Sequence, residues 1–452
     1  MNAAALAAVV ARERSIYASQ RPKSQSLARR AAAHYPFSVP LHWMRDWALP
    51  FPLAVREALG CEVQDVDGHR YIDFCLGDTG AMFGHSPPAV AAALAAQSGR
   101  GLTLMLPAEA VAAVGEKLAA LFGLPFWQLT QTATDANRAV LRHARELTGR
   151  PRVLVFDHCY HGTVEETMVV AGAGGVTLPR AGQVGRAFDP AMTTAVVPFN
   201  DLSAVEAALA RGDIGCVLTE PVMTNAGMVL PARGFLEGLR EATRRHGAWL
   251  VFDETHTLSS GHGGYGRRHD IDADVLVCGK AIAGGMPCAV YGFTAAIEAD
   301  MRAAAARRAP GHSGLGTTLS ANALAIAALD ACLTAVMTPE AHAYMDRLAG
   351  HLGGRLEAVL LARRLPWHVS RVGARLEFGR GAPPRNGAES LAAMDPALES
   401  AMHLFLLNRG FLLTPFHNMM LVSPATTLAH LERFVAAFDD CLDEFHAFMG
   451  AA

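Results

Sequence analysis

Between about residues 100 and 295, short β-rich apolar runs alternate with longer helical segments, and this alternation restricts the chain more than any other feature. Strand, helix, strand repeats are βαβ units, which fold into a mostly parallel sheet with helices on its faces. Strands are expected over 152–156, 195–198, 216–220, 248–253, 275–278 and 289–293. Helices are expected over 202–211 and 235–246, the latter entered after Pro231 and stopped at Gly247. A third helix, 136–147, carries Ala136, Val140, Ala144 and Leu147 on one stripe, with Arg138, Arg142 and Arg145 off it. Gly149 ends it.

The C-terminal third reads as α+β, with helices over 339–363 and 428–448 around short strands such as 375–378. Residues 61–74, with an Asp67-Gly68 turn, form a hairpin belonging to this smaller unit. The expected organisation is a large domain over 75–325 and a small domain assembled from 1–74 and 326–452. A chain of 452 residues can bury the cores this needs. Its start is apolar through Ala11, but Arg12, Glu13 and Arg14 follow, the reverse of a secretory signal, so the segment reads as a helix.

Lys plus Arg number 39 against 42 Asp plus Glu, so no single-sign field attracts nucleic acid or an anionic membrane. A small-molecule ligand is expected instead. No apolar run approaches the ~18 residues of a membrane span. At 51% apolar residues the chain has enough for a large subunit interface. Eight cysteines with no CxxC pair argue against a disulfide framework and a zinc site, and for the cytoplasm. His161 and the other histidines lack HxxxH spacing, so they read as structural and no metal is expected.

Chemistry concentrates in Val251-Phe252-Asp253-Glu254 and in Gly279-Lys280-Ala281-Ile282-Ala283-Gly284-Gly285-Met286-Pro287. Ligands of an open parallel sheet bind outside the carboxyl ends of its strands, where Asp253 and Lys280 both fall. A lysine in such Gly-rich, apolar surroundings can form a Schiff base with a carbonyl group. On these residues alone a strand-terminal lysine in solvent is the favoured reading. Thr132 to Asn137 open the amphipathic helix, a natural phosphate site with the Thr134 hydroxyl as an added donor, or an ordinary N-cap. Gly261 to Gly266 match GxGxxG, but Thr255 to Ser260 separate them from the preceding strand and little room remains for a helix before Val275. They read as a glycine-rich active-site loop. There is no GxxxxGK[ST].

Together VFDET, GKAIAGGMP, Tyr160-His161-Gly162 and Thr318-x-Ser320-x-Asn322 resemble the signature of class III aminotransferases, from about residue 50 to the end. The branch that looks nearest includes glutamate-1-semialdehyde aminomutase and β-amino-acid aminotransferases. The resemblance implies an α/β fold-type I transferase dependent on pyridoxal 5'-phosphate, with a mostly parallel central sheet in the large domain and a smaller α+β domain. It implies that Lys280 carries the cofactor as an internal aldimine and shuttles the substrate proton. Asp253 would face the pyridine nitrogen and keep it protonated, making the ring an electron sink. Ala133, where the family commonly has glycine, and Thr134 would hold the phosphate. Tyr160 would stack on one ring face and Thr255 cover the other. Glu220 would lie beside the ring, though it reads almost equally well as structural.

By the same resemblance Thr318 reaches the phosphate of a neighbouring subunit, implying a homodimer with shared active sites. The implied activity is transfer of an amino group from a small-molecule amine or amino acid to a keto acid. An aminomutase of the glutamate-1-semialdehyde type and a non-catalytic binding protein on this fold are the alternatives. On the substrate side the candidates are Trp43, beside Trp47, and His417, after Phe416. Arg375 is the one arginine candidate for a substrate carboxylate, although an exposed edge strand after Gly373 is the favoured reading of it. An apolar pocket framed by Trp43 and Phe416 is therefore expected.

Overall fold

The computed structural model describes residues 3–449. They fall into two compact units: 87–343 with 384–392, and 3–86 with 344–383 and 393–449.

The larger unit is built on seven strands: β1 (Phe126–Thr130), β2 (Arg152–Phe156), β3 (Thr194–Val197), β4 (Ile214–Thr219), β5 (Trp249–Asp253), β6 (Val275–Cys278) and β7 (Ala289–Phe293). Their spatial order is β1-β7-β6-β5-β4-β2-β3. From β6 to β3 every neighbouring pair is parallel, and β7 runs antiparallel to both β6 and β1. All six expected strands are present, and β2, β6 and β7 keep their expected limits.

Period-2 alternation explains why these runs are apolar throughout. Val153, Val155, Cys216, Leu218 and Val251 enter one core with Ala136, Val140 and Ala144 of helix α1 (Ala133–Thr148). Leu154, Phe156, Val217, Leu250 and Phe252 enter the other, against Val205, Leu209, Leu236 and Leu239 of helices α2 (Leu202–Leu209) and α3 (Phe235–His246). Each buried Val, Leu or Phe among them contributes roughly 1.5–3 kcal/mol relative to exposure. Asp201 caps α2 through the Ala204 amide, and Gly247, at φ 62°, ends α3 in the left-handed region.

The smaller unit contains a four-stranded sheet, Val55–Leu59, Glu62–Asp65, Arg70–Asp73 and Phe411–Leu412, in that order. It includes the expected hairpin. A three-stranded antiparallel sheet follows, with Arg375–Arg380 between Trp367–Val372 and Met419–Leu421. Tyr17 of helix Ala3–Gln20, Leu404 and Leu407 of helix Pro396–Asn408, and Val63, Tyr71 and Leu412 share a core.

The unit boundaries differ from the expected domain limits. Residues 326–343 belong to the larger unit, where helix Ala323–Ala335 packs on Pro88–Ser98 and on the turn Lys280–Ala283. Residues 75–86 belong to the smaller one, tied by the Gly60 and His85 backbone bridge and by His85 Nε2 at 2.8 Å from Asp73 Oδ2.

Candidate active site

The register of β5 and β6 assembles the centre of the site. Val251, Phe252 and Asp253 lie opposite Val275, Leu276 and Val277, each pair 24 apart in sequence. The spacing persists past the strand ends. The Gly279 amide donates to Thr255 Oγ1 at 3.2 Å, and Lys280 Nζ lies 2.7 Å from His256 Nε2. Lys280 has φ 50°, in the left-handed region that a side chain seldom adopts. Gly279 before it has no room for a side chain: a Cβ there would stand 3.0 Å from the Ala133 Cβ. The missing side chain lets the first turn of α1 come down on the loop that carries Lys280.

Asp253 ends β5, buried, with three donors aimed at it. Asn137 Nδ2 donates to Oδ2 at 2.9 Å, His161 Nδ1 lies 3.0 Å from the same oxygen, and the Thr255 amide donates to Oδ1 at 3.1 Å. Burial pushes the Asp253 carboxyl up, but the bond and charge of His161, with Thr255 and Asn137, outweigh it and hold the group below the ordinary range. Burial pushes His161 down, yet Cys159 and Asp253 raise it above its ordinary value. Both shifts favour the charged forms of the two groups. Sequence reasoning read His161 as structural and passed over Asn137, which reaches Asp253 from α1, 116 residues away.

Helix α1 begins at Ala133 with Thr132 as its N-cap, the hydroxyl accepting from the Asp135 amide at 3.2 Å. The ordinary cap and the phosphate-type helix start are thus one structure, because the first turn of any helix leaves amides without intrahelical partners. The Thr134 hydroxyl accepts from the Thr163 amide at 3.2 Å, and a Cβ on Gly162 would lie 2.1 Å from it. The Tyr160-His161-Gly162 loop is drawn onto the helix start by that glycine. Tyr160 is half-buried. Glu220 is buried and accepts from Asn225 Nδ2 at 3.1 Å and from the Thr224 hydroxyl; burial raises its carboxyl above the ordinary range.

The glycine-rich run 261–266 does something the sequence did not suggest. It wraps Glu254: the amides of Tyr265 and Gly266 donate to the carboxylate at 2.9 and 2.7 Å, and the Thr257 hydroxyl joins them. A Cβ on Gly264, at φ 86°, would stand 2.7 Å from the Glu254 Cδ. A short helix, Gly264–Arg268, begins within the run, where the sequence left little room for one.

Thr318 is exposed in the stretch before helix Ala323–Ala335. In the smaller unit, Trp43 occupies a short turn, His42–Arg45, with its ring centroid 5.6 Å from that of Phe416. His417, expected on the substrate side, is buried within its own unit, its Nδ1 3.2 Å from Glu377 Oε1. The edge-strand reading of Arg375 is corrected. Arg375 is fully buried in the middle strand of its sheet, because Met419–Leu421 pairs on the side left open by Trp367–Val372. Its guanidinium bonds the Thr79 hydroxyl and the Met419 sulfur.

Residues 43–442 match the family described as aminotransferase class-III. The chain belongs to this family. A glutamate-1-semialdehyde 2,1-aminomutase of Nitratidesulfovibrio vulgaris is 34% identical to this class-III chain over 396 residues, 86% of it and 90% of the relative. A solved glutamate-1-semialdehyde-aminomutase of Pseudomonas aeruginosa PAO1 is 48% identical, with a TM-score of 0.95 over 98% of this chain and 99% of that one. A lysine-to-alanine variant of it is in complex with PMP. A β-phenylalanine aminotransferase of Variovorax paradoxus is 28% identical, with a TM-score of 0.86 over 98% of each chain.

The fold is that of the fold-type I transferases, and the class-III cofactor is pyridoxal 5'-phosphate. The residues present fit this group. An ionised, buried carboxylate suits a protonated ring nitrogen, a helix start suits a phosphate, and an amine stands at the next strand end.

Proposed function

We propose that the chain moves amino groups on a small substrate, using Lys280 as the amine that carries the cofactor, and that the movement is of the glutamate-1-semialdehyde aminomutase type. The observation that carries the chemistry is the juxtaposition, on adjacent strand ends, of the Lys280 amine with the Asp253 carboxylate. The choice of an aminomutase rests on the 48% identity to a protein of that name, over almost the whole chain.

In this reading Asp253 pairs with the ring nitrogen of the cofactor, and Ala133, Thr134 and the first amides of α1 take the phosphate. Tyr160 and Thr255 would cover the two faces of its ring, with Glu220 alongside. The bound cofactor supplies an electron sink for the pair left when a substrate proton departs. Lys280 takes that proton at Nζ and delivers it to another carbon, which is general base and then general acid work by one amine. Asp253, His161 and Asn137 hold the charge pattern in place throughout.

The substrate-bearing state is completed by Thr318 of a second copy. Leu102, Leu104, Met105 and Leu106, all exposed on the larger unit, support that homodimer by offering an apolar surface for burial. A cytoplasmic setting is supported by eight free, buried cysteines; among the described residues no single helix is long and apolar enough to cross a membrane.

A second reading, transfer between two molecules, is favoured by the Trp43 and Phe416 ring pair and by the likeness to a β-phenylalanine aminotransferase. Cofactor-loaded protein separates the two. With glutamate 1-semialdehyde alone, an aminomutase forms the isomer bearing its amine on carbon 1. With hydrophobic β-amino acids and pyruvate, an aminotransferase forms alanine. Isomer without alanine supports the first reading, and alanine without isomer replaces it with the second.

A further inference from the structure

The strand register that brings Asp253 and Lys280 together also delivers a residue with no part in the reading above. His256 follows β5 by three residues, as Lys280 follows Val277, and it is 4% exposed. Its Nε2 and the Lys280 Nζ are 2.7 Å apart. A contact that short between two nitrogens contains one proton, because two donors facing each other repel. An ammonium offers donors alone, so His256 Nε2 must present its lone pair whenever Lys280 is charged. When Lys280 is a neutral amine it has a lone pair as well, so an Nε2–H can donate to it across the same contact.

We propose that His256 is the proton partner of Lys280, taking a proton from the ε-ammonium at Nε2 to free the amine and returning it when the amine must act as an acid. In the forward step the N–H bond at Nζ breaks, its electron pair stays on Nζ, and an N–H bond forms at Nε2. No third reactant is needed. His256 thereby positions and recharges Lys280.

The other titratable groups on the elements packed here are engaged elsewhere. On the same segment, Asp253 is held by His161 and Asn137, and Glu254 by the Tyr265 and Gly266 amides. From β4, Glu220 is held by Thr224 and Asn225. At the start of α1, Asp135 is hydrogen-bonded to Thr132. Cys278 of β6, Cys288 before β7 and Cys332 of helix Ala323–Ala335 are thiols that burial pushes up. His161, the other imidazole at this strand edge, is raised above its ordinary range as the partner of Asp253.

This inference rests on Lys280 being the amine that works, but its test needs neither a substrate nor turnover. The sequence has three lysines, Lys23, Lys117 and Lys280, so one digest reports all of them. The full-length chain, stripped of cofactor, is pulsed with acetic anhydride from pH 5.5 to 8.5, and each lysine is quantified by mass spectrometry. Acetylation of Lys280 relative to Lys23 is expected to be level below the ordinary histidine range, about pH 6–7, and to step downward through it, because the singly protonated His256–Lys280 pair stops growing there while the free amine of Lys23 goes on rising with pH. In His256→Gln the step should vanish and the ratio at pH 7.5 fall about ten-fold, equivalent to ~1.4 kcal/mol; added imidazole should restore part of it in His256→Ala. A Lys280 profile in the parent without that step overturns the proposal, with no variant required, and so does an unchanged profile in a folded His256→Gln chain. Borohydride trapping of the cofactor on Lys280 in the parent, measured separately, shows whether a negative result touches the reading of Lys280 itself.

Discussion

His161 Nδ1 lies 3.0 Å from Asp253 Oδ2, and both side chains are buried. Asp253 is held below its ordinary range and His161 above it, so the pair stabilises the fold at intermediate pH and loses that contribution toward both ends of the scale. The Asp253 contribution is present above about pH 4 and is lost as pH falls through its lowered folded value. The His161 contribution is complete below about pH 6.5 and is lost as pH rises through its raised folded value. His161→Ala leaves a buried carboxylate without its charge partner, at about 3 kcal/mol. Urea unfolding at pH 6 and pH 10.5 checks this: the loss should be larger at pH 6, and an equal loss at both would mean that His161 is neutral in the parent.

Asp253→Asn keeps the size of the side chain and removes its charge. The fold and much of the cofactor binding should survive, while substrate proton removal slows by about 100-fold or more, the scale of losing one electrostatic stabiliser. Single-turnover absorbance changes with a saturating amine measure this step directly. A rate within a factor of three of the parent would remove Asp253 from the chemistry.

Thr318 is exposed on its own chain and is expected to act on the neighbouring one. Mixed dimers of a Lys280→Ala chain and a Thr318→Asp chain then contain one doubly impaired site and one intact site. Activity should exceed that of either parent homodimer and approach half that of the unmodified dimer. Heterodimers proven by mass that recover nothing would argue that Thr318 serves its own site.

The parts of the fold legible in the sequence are those governed by local period and punctuation. β2, β6 and β7 are short runs buried on both faces, and α3 is bracketed by Pro231 and Gly247, so their limits could be read directly. Asp253 at a strand end and Lys280 two residues past one could be singled out by position, but it was the family motifs around them that suggested their roles. Other features depend on pairing between distant segments. His256 meets Lys280 only once β5 and β6 are known to be parallel neighbours with an offset of 24. Arg375 looked like an edge residue because its second neighbouring strand, Met419–Leu421, lies more than forty residues further along the chain. His417 looked available until its sheet brought Glu377 beside it. The glycines of 261–266 suggested a ligand loop, but the group they accommodate is the chain's own Glu254.

The proposed chemistry depends above all on Lys280 being the lysine that carries pyridoxal 5'-phosphate. With three lysines in the sequence, and Lys117 already 2.5 Å from Asp330, the question has few answers. Cofactor-loaded protein is reduced with borohydride, digested, and the pyridoxyl-modified peptide identified by mass spectrometry. The modification is expected on Lys280 alone, with the visible absorption band absent from Lys280→Ala. A pyridoxyl group on Lys23 or Lys117, or an unaltered band in Lys280→Ala, would contradict the account.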